Sequence, residues 1–333
     1  MVTLKDIAKR SGVSIGTASA VLNNKNGVIR VSPTTKEKVY RVAKRLNYIP
    51  NIAARGLRTG KSFLIGVLTA KITNSFVPEI LQGIEDTLLH NNYSMILSTY
   101  HTPEDMQKKI DSMLQKNIDA AIVITDSRKE YCEKYIKLYK KIPFISIGED
   151  DVNIDIPKVC VDGIQIGEIA CEYLLKLGHT QIACIGYSPN RYQGFLNSLK
   201  KHEVKLEEDL QIHQCADFES GKIAIENYIN KGKIPSAVIC YSEEIAAGII
   251  AGAVKHNIKI PDQLSIIGVN DTSIAKMLTP ALTTVAQPKT EQGEQAVKLA
   301  INIINKLPIK TTKIILEPFL IKRESCKMVN SKN

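Results

Sequence analysis

The sequence predicts an α/β protein in which a small all-α unit precedes a two-lobed core with doubly wound parallel sheets. The first observation is charge. Residues 1–62 (the headpiece) contain 13 basic and 2 acidic residues, a net charge of +11, whereas the whole chain carries +10. The second is that apolar, strand-like runs alternate with amphipathic helical stretches beyond Phe63, in two series. Repeated strand–helix units build parallel sheets with helices on both faces, and two series indicate two lobes.

Composition limits the class of protein. The chain has 333 residues, of which 44% are hydrophobic and 23% charged, which is typical of a globular protein of two or three domains. No apolar signal region follows Met1, and the longest apolar stretches are too short to span a bilayer. We therefore expect a cytoplasmic protein with no membrane partner. The seven cysteines are scattered without a C-x-x-C pair, so we expect reduced thiols and neither a metal site nor a cofactor.

Signals for two short helices around a glycine turn open the headpiece. Thr3 can cap the first helix, Gly12 ends it, and Ser14 can cap the second. The outer face of the second helix is small and polar, with Ser14, Thr17 and Ser19. Small residues let a helix enter the major groove of DNA, and hydroxyls can contact phosphates or base edges. The pattern therefore predicts a helix-turn-helix.

A third helix and an unusual linker complete the headpiece. Ser32 and Pro33 start the third helix, whose apolar stripe packs against the first two. Residues 51–62 contain helix formers around a single large apolar residue, Leu57, between Arg55 and Arg58. Because so short a helix is marginal in water, we expect this hinge to fold only against DNA and a second copy of itself.

These headpiece motifs resemble the lactose-repressor (LacI/GalR) family of bacterial transcription regulators. The matching segments are VTLKDIA at 2–8, GVS at 12–14, TASAVLN at 17–23 and NYIPN at 47–51. The resemblance implies that the hinge helices of a dimer lie in the minor groove, where Leu57 wedges into the central base step. The residues expected to contact DNA are Thr3, Ser14, Ile15, Gly16, Thr17, Ser19, Ala20, Asn23, Asn51, Arg55, Leu57 and Arg58.

One departure from the family concerns sequence recognition. The family often has an arginine where this chain has Ala20, and larger side chains where it has Ile15 and Gly16. Arginine to guanine is the commonest specific base contact. Ala20 and Ile15 can instead touch thymine methyl groups, so we expect a more A/T-tolerant half-site.

The resemblance continues through the core, which is similar to periplasmic sugar-binding proteins. It rests on TNSF at 73–76, LGH at 177–179, GF at 194–195, AAG at 246–248, IP at 260–261, GVND at 268–271, PALTTV at 280–285 and RES at 323–325. It implies three chain crossings between the lobes. Ligands of such sheets bind beyond the strand C-termini, which here face each other across a cleft.

The predicted boundaries follow from these motifs. They are 1–50 for the helix-turn-helix headpiece domain, 51–62 for the hinge, 63–327 for the effector-binding and dimerisation core, and 328–333 for a tail. Lobe 1 is expected at about 63–160 and 289–318, and lobe 2 at about 161–288 and 319–327.

Motif position also implies the effector site. Arg191 stands at the family's effector-clamping arginine, and its planar fork suits a carboxylate, a phosphate or a sugar diol. Asn270 replaces a usual aspartate, and Gly148 or Glu149 falls where many sugar-binding members have one. The residues expected to bind the effector are Asn74, Phe76, Gly148, Arg191, Phe218, Ser242 and Asn270.

The function expected is a dimeric repressor of the LacI type, in which a sugar-like small molecule controls binding to a pseudo-palindromic double-stranded DNA operator. Three alternatives stay open: control by a phosphocarrier-type protein co-repressor, a sugar-binding protein without a DNA function, and an α/β enzyme. No residue spacing supports a catalytic site, so we expect no enzyme. The C-terminus lacks the heptads of a tetramerising coil, so we expect a homodimer.

Overall fold

The computed structural model describes residues 2–22, 31–49, 56, 59–125, 142–150 and 156–329. The chain divides into two compact units, Met1–Ser62 and Phe63–Asn333. This division coincides with the change in charge, because the first unit holds the whole positive excess. No helix in the described parts of the chain is both long enough and apolar enough to cross a membrane.

The described part of the headpiece contains the helices α1 (Leu4–Ser11), α2 (Ile15–Leu22) and α3 (Pro33–Arg45). All three helix starts predicted from the sequence are confirmed. The hydroxyls of Thr3, Ser14 and Ser32 each accept a first-turn backbone N–H at 3.0 to 3.3 Å. Gly12 ends α1 in the left-handed region with φ +66°, a conformation that glycine adopts without a steric penalty.

The headpiece packs around a small apolar core. Its buried side chains are Ile7, Ala8, Ala18, Val21, Val39 and Ala43. The Tyr40 hydroxyl also donates to the Val21 carbonyl oxygen at 2.8 Å, which links α3 to α2. Half of these buried residues are alanines, so each larger side chain contributes a substantial share of the apolar area that stabilises the unit.

The first lobe is built on a sheet of parallel strands. The described strands are β1 (Leu64–Thr69), β2 (Ser94–Thr99), β3 (Ala120–Ile124), β4 (Phe144–Glu149), β5 (Lys158–Val161) and β10 (Lys313–Leu316), in the order β10-β5-β4-β3-β1-β2. In the register, Val67 pairs with Leu97 on one side and Ile122 on the other. All five residues of β3 are buried. Central strands buried on both faces explain the unbroken apolar runs in the sequence.

Helices cover both faces of this sheet. In the described part of this lobe they are α4 (Val77–His90), α5 (Pro103–Gln115) and α11 (Lys289–Ile304). The expected stripe of Ile80, Ile84 and Leu88 on α4 is fully buried. Gly83 lets α4 and α11 approach closely, because a Cβ there would lie 2.1 Å from the Thr290 carbonyl oxygen. The cluster around α5 forms a second core on the opposite face.

The second lobe repeats this architecture. Its described strands are β6 (Ile182–Ile185), β7 (Ala237–Cys240), β8 (Ser265–Asn270), β9 (Thr283–Ala286) and β11 (Phe319–Ile321), in the order β11-β9-β8-β7-β6. Its helices are α6 (Gly163–Lys176), α7 (Pro189–Lys201), α8 (Phe218–Asn230), α9 (Glu243–Lys255) and the short α10 (Ser273–Met277). One apolar cluster contains α6 and α7 and another contains α8 and α9, so helices again cover both faces.

The predicted fold class is confirmed, with one departure. The chain passes from the first sheet to the second after β5, back after β9 and across again after β10. Strand β11 runs antiparallel to β9, whereas the other pairs are parallel. The C-terminal edges of the two sheets face each other. A chain that continues straight on from β10 therefore enters the second sheet against the direction of its strands.

A buried histidine attaches the last described residues to the second lobe. His179 Nδ1 lies 3.0 Å from Ser236 Oγ, and Nε2 lies 3.0 Å from the Lys327 carbonyl oxygen. Burial lowers the pKa of His179 below its usual 6.5. The sequence predicts a structural role and a helix dipole that favours a cation. The burial acts against that charge and favours the neutral ring.

Candidate functional site

The first turn of α2 is an exposed part of the helix-turn-helix. Ser14, Ile15 and Gly16 are exposed, and Thr17 is half-buried. Ile15 keeps 49% of its surface accessible. Thr3, at the start of α1, is also exposed. These residues form a small surface of hydroxyls and one branched apolar side chain, which is chemically suited to phosphates, base edges and thymine methyl groups.

The predicted outer-face position of Ser19 was wrong, and Ala20, expected to touch a thymine methyl group, is buried as well. Ser19 is 7% exposed and Ala20 is 8% exposed, and their neighbours Ala18 and Val21 are buried as well. Four consecutive residues at 100° intervals cover almost the whole circumference of a helix. Residues 18–21 of α2 are therefore enclosed, and this structure does not support thymine recognition by the Ala20 methyl group.

Five of the residues expected to contact DNA lie outside the described residues: Asn23, Asn51, Arg55, Leu57 and Arg58. They include Leu57, which is predicted to insert between bases, and the two arginines on either side of it. Their assignment to DNA stays a prediction from the sequence and the family resemblance.

The core contains a cleft of about 490 Å³ between the two lobes. It is lined by residues that follow, or end, β1, β3 and β4 of the first sheet and β6 to β9 of the second. This is the position expected for a ligand in parallel α/β sheets. The volume lies within the range of about 300–1,000 Å³ that is typical of small-molecule sites.

The structure brings all seven predicted effector residues to this cleft. They are Asn74, Phe76, Gly148, Arg191, Phe218, Ser242 and Asn270. Asn74 Oδ1 accepts the Phe76 backbone N–H at 3.0 Å, which shapes the turn after β1. Ser242 caps α9 by accepting the Ile245 N–H at 3.3 Å. Their role as ligands of an effector stays a prediction.

The Arg191 side chain makes hydrogen bonds to both lobes at the cleft. It lies in the first turn of α7 and is 8% exposed. One terminal nitrogen donates to the Tyr241 carbonyl oxygen at 2.8 Å, and the other donates to the Glu149 carboxylate. The buried Nε has no hydrogen-bond partner among the described residues. The first sheet thus contributes the acid, and the second lobe contributes the guanidinium.

The sequence left Gly148 and Glu149 unresolved as the acidic position, and the structure separates their roles. Gly148 packs closely on Thr125, since a Cβ there would lie 2.3 Å from Thr125 Oγ1. Glu149 carries the carboxylate that reaches Arg191 and also accepts a hydrogen bond from Ser188 Oγ at 3.0 Å. The signal for Glu149 was its place at the carboxyl end of a buried strand.

A buried acid that the sequence did not assign holds the loop after β8. The Glu243 carboxylate accepts the backbone N–H of Asp271 at 2.6 Å and of Thr272 at 2.9 Å, and also two threonine hydroxyls. Burial raises the pKa of Glu243, and these donors oppose that rise. The loop needs such support because Asn270 and Asp271 have φ values of +111° and +54°, which non-glycine residues rarely adopt.

A second unassigned residue, Lys289, connects this loop to the first lobe. Its ammonium group donates to the Asp271 carbonyl oxygen at 2.9 Å and to that of Asn270, and it lies 3.3 Å from the Glu79 carboxylate. Asn270 Oδ1 in turn accepts from Gln287 Nε2 at 2.8 Å. The orientation of Asn270 in the cleft thus depends on contacts from both lobes. No sequence motif pointed to Lys289.

Comparison with known proteins identifies the family of this chain. Residues 3–51 match the model of bacterial regulatory proteins of the lacI family, and residues 171–326 match a periplasmic binding protein-like domain. The ribose operon repressor of Haemophilus influenzae is 30% identical over 332 residues, which cover 98% of each chain. The chain belongs to the LacI family. It is therefore a DNA-binding transcriptional regulator and not an enzyme.

Solved structures agree with this LacI-family assignment. The lac repressor dimer bound to operator and the anti-inducer ONPF superposes with a TM-score of 0.81 at 23% identity, covering 98% of this chain and 99% of that chain. A LacI-family regulator from Enterococcus faecium with bound ribose gives 0.70 at 25% identity, covering 80% and 100%. LacI-family regulators bind operator DNA as dimers and respond to sugar effectors. The prediction of a repressor-like regulator is confirmed.

Proposed function

We propose that this LacI-family regulator represses transcription as a homodimer on a pseudo-palindromic operator, and that a sugar-like small molecule in the cleft of the core controls its affinity for DNA. The cleft carries this proposal, because both lobes contribute polar side chains to one ligand-sized volume at their strand ends. The names of relatives support the ligand class, since one represses a ribose operon and another binds ribose.

The proposed DNA contact uses the headpiece charge and the first turn of α2. Each lysine or arginine that neutralises a phosphate contributes about −0.9 to the slope of log affinity against log salt concentration. The 13 basic residues of the headpiece provide a strongly salt-dependent affinity. Base recognition falls to Ser14, Ile15 and Thr17, and the proposed Leu57 wedge adds the bend at the operator centre.

The proposed control acts through contacts that cross the cleft. Ser75 of the first lobe donates to the Glu244 carboxylate of the second at 2.5 Å, and Glu149 of the first lobe pairs with Arg191 of the second. A ligand that contacts both sides favours one angle between the lobes over another. A difference of about 1–3 kcal/mol in its binding to the two states changes operator affinity about 5- to 150-fold.

The test begins with selection of an operator from random duplexes by the full-length chain. Fluorescence anisotropy then measures operator affinity with and without a panel of sugars. We expect one sugar to change that affinity within the range above. We also expect Leu57→Gln to weaken operator binding while sugar binding, measured by calorimetry, is unchanged. An affinity for the selected operator that Leu57→Gln leaves intact would contradict the proposed hinge.

The same assay separates the alternatives. If no sugar has an effect and a phosphocarrier protein changes operator affinity, the chain uses a protein co-repressor, and the proposed sugar control is wrong. If no duplex is selected although a sugar binds, the DNA-binding half of the proposal fails.

A further inference from the structure

The acid beside Arg191 occupies the position that an anionic effector would take. The Glu149 carboxylate receives hydrogen bonds from the Arg191 guanidinium through one oxygen and from the Ser188 hydroxyl through the other. Ser188 is also the N-cap of α7, whose first turn contains Arg191. A guanidinium, a hydroxyl and a helix N-terminus together form a site for a carboxylate or a phosphate. In this chain the protein's own side chain fills that site.

The surrounding backbone leaves room for this carboxylate. A Cβ at Gly163 would lie 2.8 Å from Glu149 Oε2, so any larger residue there would press on the acid. The Glu149 and Arg191 side chains are 16% and 10% exposed. A largely buried pair is weakly screened by solvent and salt, so Glu149 offsets the positive charge of Arg191 strongly.

The other charged side chains of the cleft also disfavour an anionic ligand. Among the described residues, its charged lining consists of two cations, Lys71 and Arg191, and three acids, Glu149, Asp217 and Glu244. An anion therefore meets a net negative charge in the described part of the cleft.

We propose that Glu149 sets the charge class of the effector, so that the cleft accepts uncharged polyhydroxy ligands and rejects carboxylates and phosphate esters. This inference rests on the proposed function, since it concerns the ligand of the same cleft. The guanidinium of Arg191 suits a carboxylate, a phosphate or a sugar diol, and the charge of Glu149 leaves only the sugar diol.

The experiment removes the charge of Glu149 and keeps its shape. Calorimetry on the full-length chain compares the wild type with Glu149→Gln, using inorganic phosphate, D-ribose and D-ribose 5-phosphate as probes. Glu244→Gln is the matched control, because it removes one negative charge from the same cleft without touching the partner of Arg191. Glu149→Asp is a second control that retains the charge. Far-UV circular dichroism and thermal unfolding establish that each variant is folded.

We expect Glu149→Gln to gain affinity for phosphate by about tenfold or more. The substitution removes one negative charge next to the phosphate position, and an adjacent charge changes an ionic equilibrium by about this factor. Glu244→Gln should show a much smaller gain, and Glu149→Asp should reject phosphate as the wild type does. An equal gain in Glu244→Gln would overturn the specific role of Glu149. Wild-type protein that binds phosphate or D-ribose 5-phosphate as tightly as Glu149→Gln does would overturn the proposal outright, and this arm needs only that the wild type be folded.

These outcomes are distinct from failure of the proposed function. If no sugar alters operator affinity but Glu149→Gln alone gains phosphate binding, the proposed control by sugars fails and the charge selection stands. If a phosphorylated sugar proves to be the ligand that controls the wild type, the proposed function stands and the role of Glu149 falls.

Discussion

The headpiece surface and the core cleft are assembled in opposite ways. The exposed turn proposed to contact DNA is a contiguous segment, residues 14–17, and the residues that start and stop its helices lie beside it in sequence. The cleft combines residues from Lys71 to Gln287, brought together by two sheets. A locally encoded surface can be identified from a short motif. A surface assembled from distant segments depends on pairings, such as Glu149 with Arg191, that no motif contains.

The two regions also differ in how much apolar packing supports them. In the described part of the headpiece, the apolar cluster contains six buried side chains, three of them alanines. Each lobe of the core has two clusters, and the larger ones contain 18 buried residues each. The headpiece should therefore be the less stable unit, and equal substitutions in the two regions should have unequal functional consequences.

The largest expected effect comes from Ile7→Ala in the headpiece. Ile7 is fully buried, and truncation of a buried isoleucine costs about 2–5 kcal/mol. We expect the headpiece to unfold and operator binding to be lost, while calorimetry shows unchanged ligand binding to the core. Ile80→Ala, an equally buried position in the first lobe, is the matched control and should leave the core folded. If Ile7→Ala retained full operator affinity, the headpiece would not be the less stable of the two units.

A smaller loss is expected from Glu243→Ala in the second lobe. It leaves the buried Thr272 N–H without its acceptor, at about 1–3 kcal/mol, whereas the half-buried Asp271 N–H keeps a long hydrogen bond of 3.4 Å to Thr284 Oγ1. We expect a lower free energy of unfolding in urea and weaker ligand binding, because Asn270 loses its fixed position. Glu243→Gln retains one acceptor oxygen and should lose less of both. If Glu243→Ala binds ligand as the wild type does, Asn270 does not depend on this acid.

A matched pair of cap substitutions separates folding from DNA contact. Ser14→Ala and Ser32→Ala each remove an N-cap, at about 1 kcal/mol of stability. Ser14 lies on the exposed turn of α2, whereas Ser32 starts the supporting helix α3. We expect similar losses of headpiece stability by thermal unfolding, but a larger loss of operator affinity for Ser14→Ala. Equal losses of affinity would mean that Ser14 serves only as a cap.

The smallest expected effect is the pH dependence of the core. Burial lowers the pKa of His179 below 6.5, so the unfolded chain binds this proton more tightly than the folded one. The stability that the neutral His179 ring contributes is therefore complete above the unfolded pKa of 6.5. It is lost as the pH falls from 6.5 to the lower pKa of the folded state. We expect the urea midpoint of the core to fall on acidification through this window, and His179→Gln to reduce the slope. If the urea midpoint of His179→Gln depended on pH as the wild type does, His179 would not control this dependence.

The sequence predicted most of the fold, because strand ends and helix caps are local signals. The seven effector candidates, which the structure brings to one cleft, came from the family resemblance. The sequence was wrong about Ser19 and Ala20, since the neighbours that enclose the end of α2 are not visible in an eight-residue pattern. It also missed the antiparallel β11, because strand direction there follows from how the two sheets face each other.

The sequence by itself determined the positive headpiece, the helix starts and stops, the alternation of strands and helices, and the family. These features depend on charge and on periodicities of a few residues. Tertiary structure alone decided that Glu149 fills the anion position at Arg191, that Glu243 holds the Asn270 loop, and that Lys289 connects the two lobes at that loop. The physical reason is that the energy of a charge in a cleft depends on which distant groups lie within a few ångströms of it, and only the folded chain sets those distances.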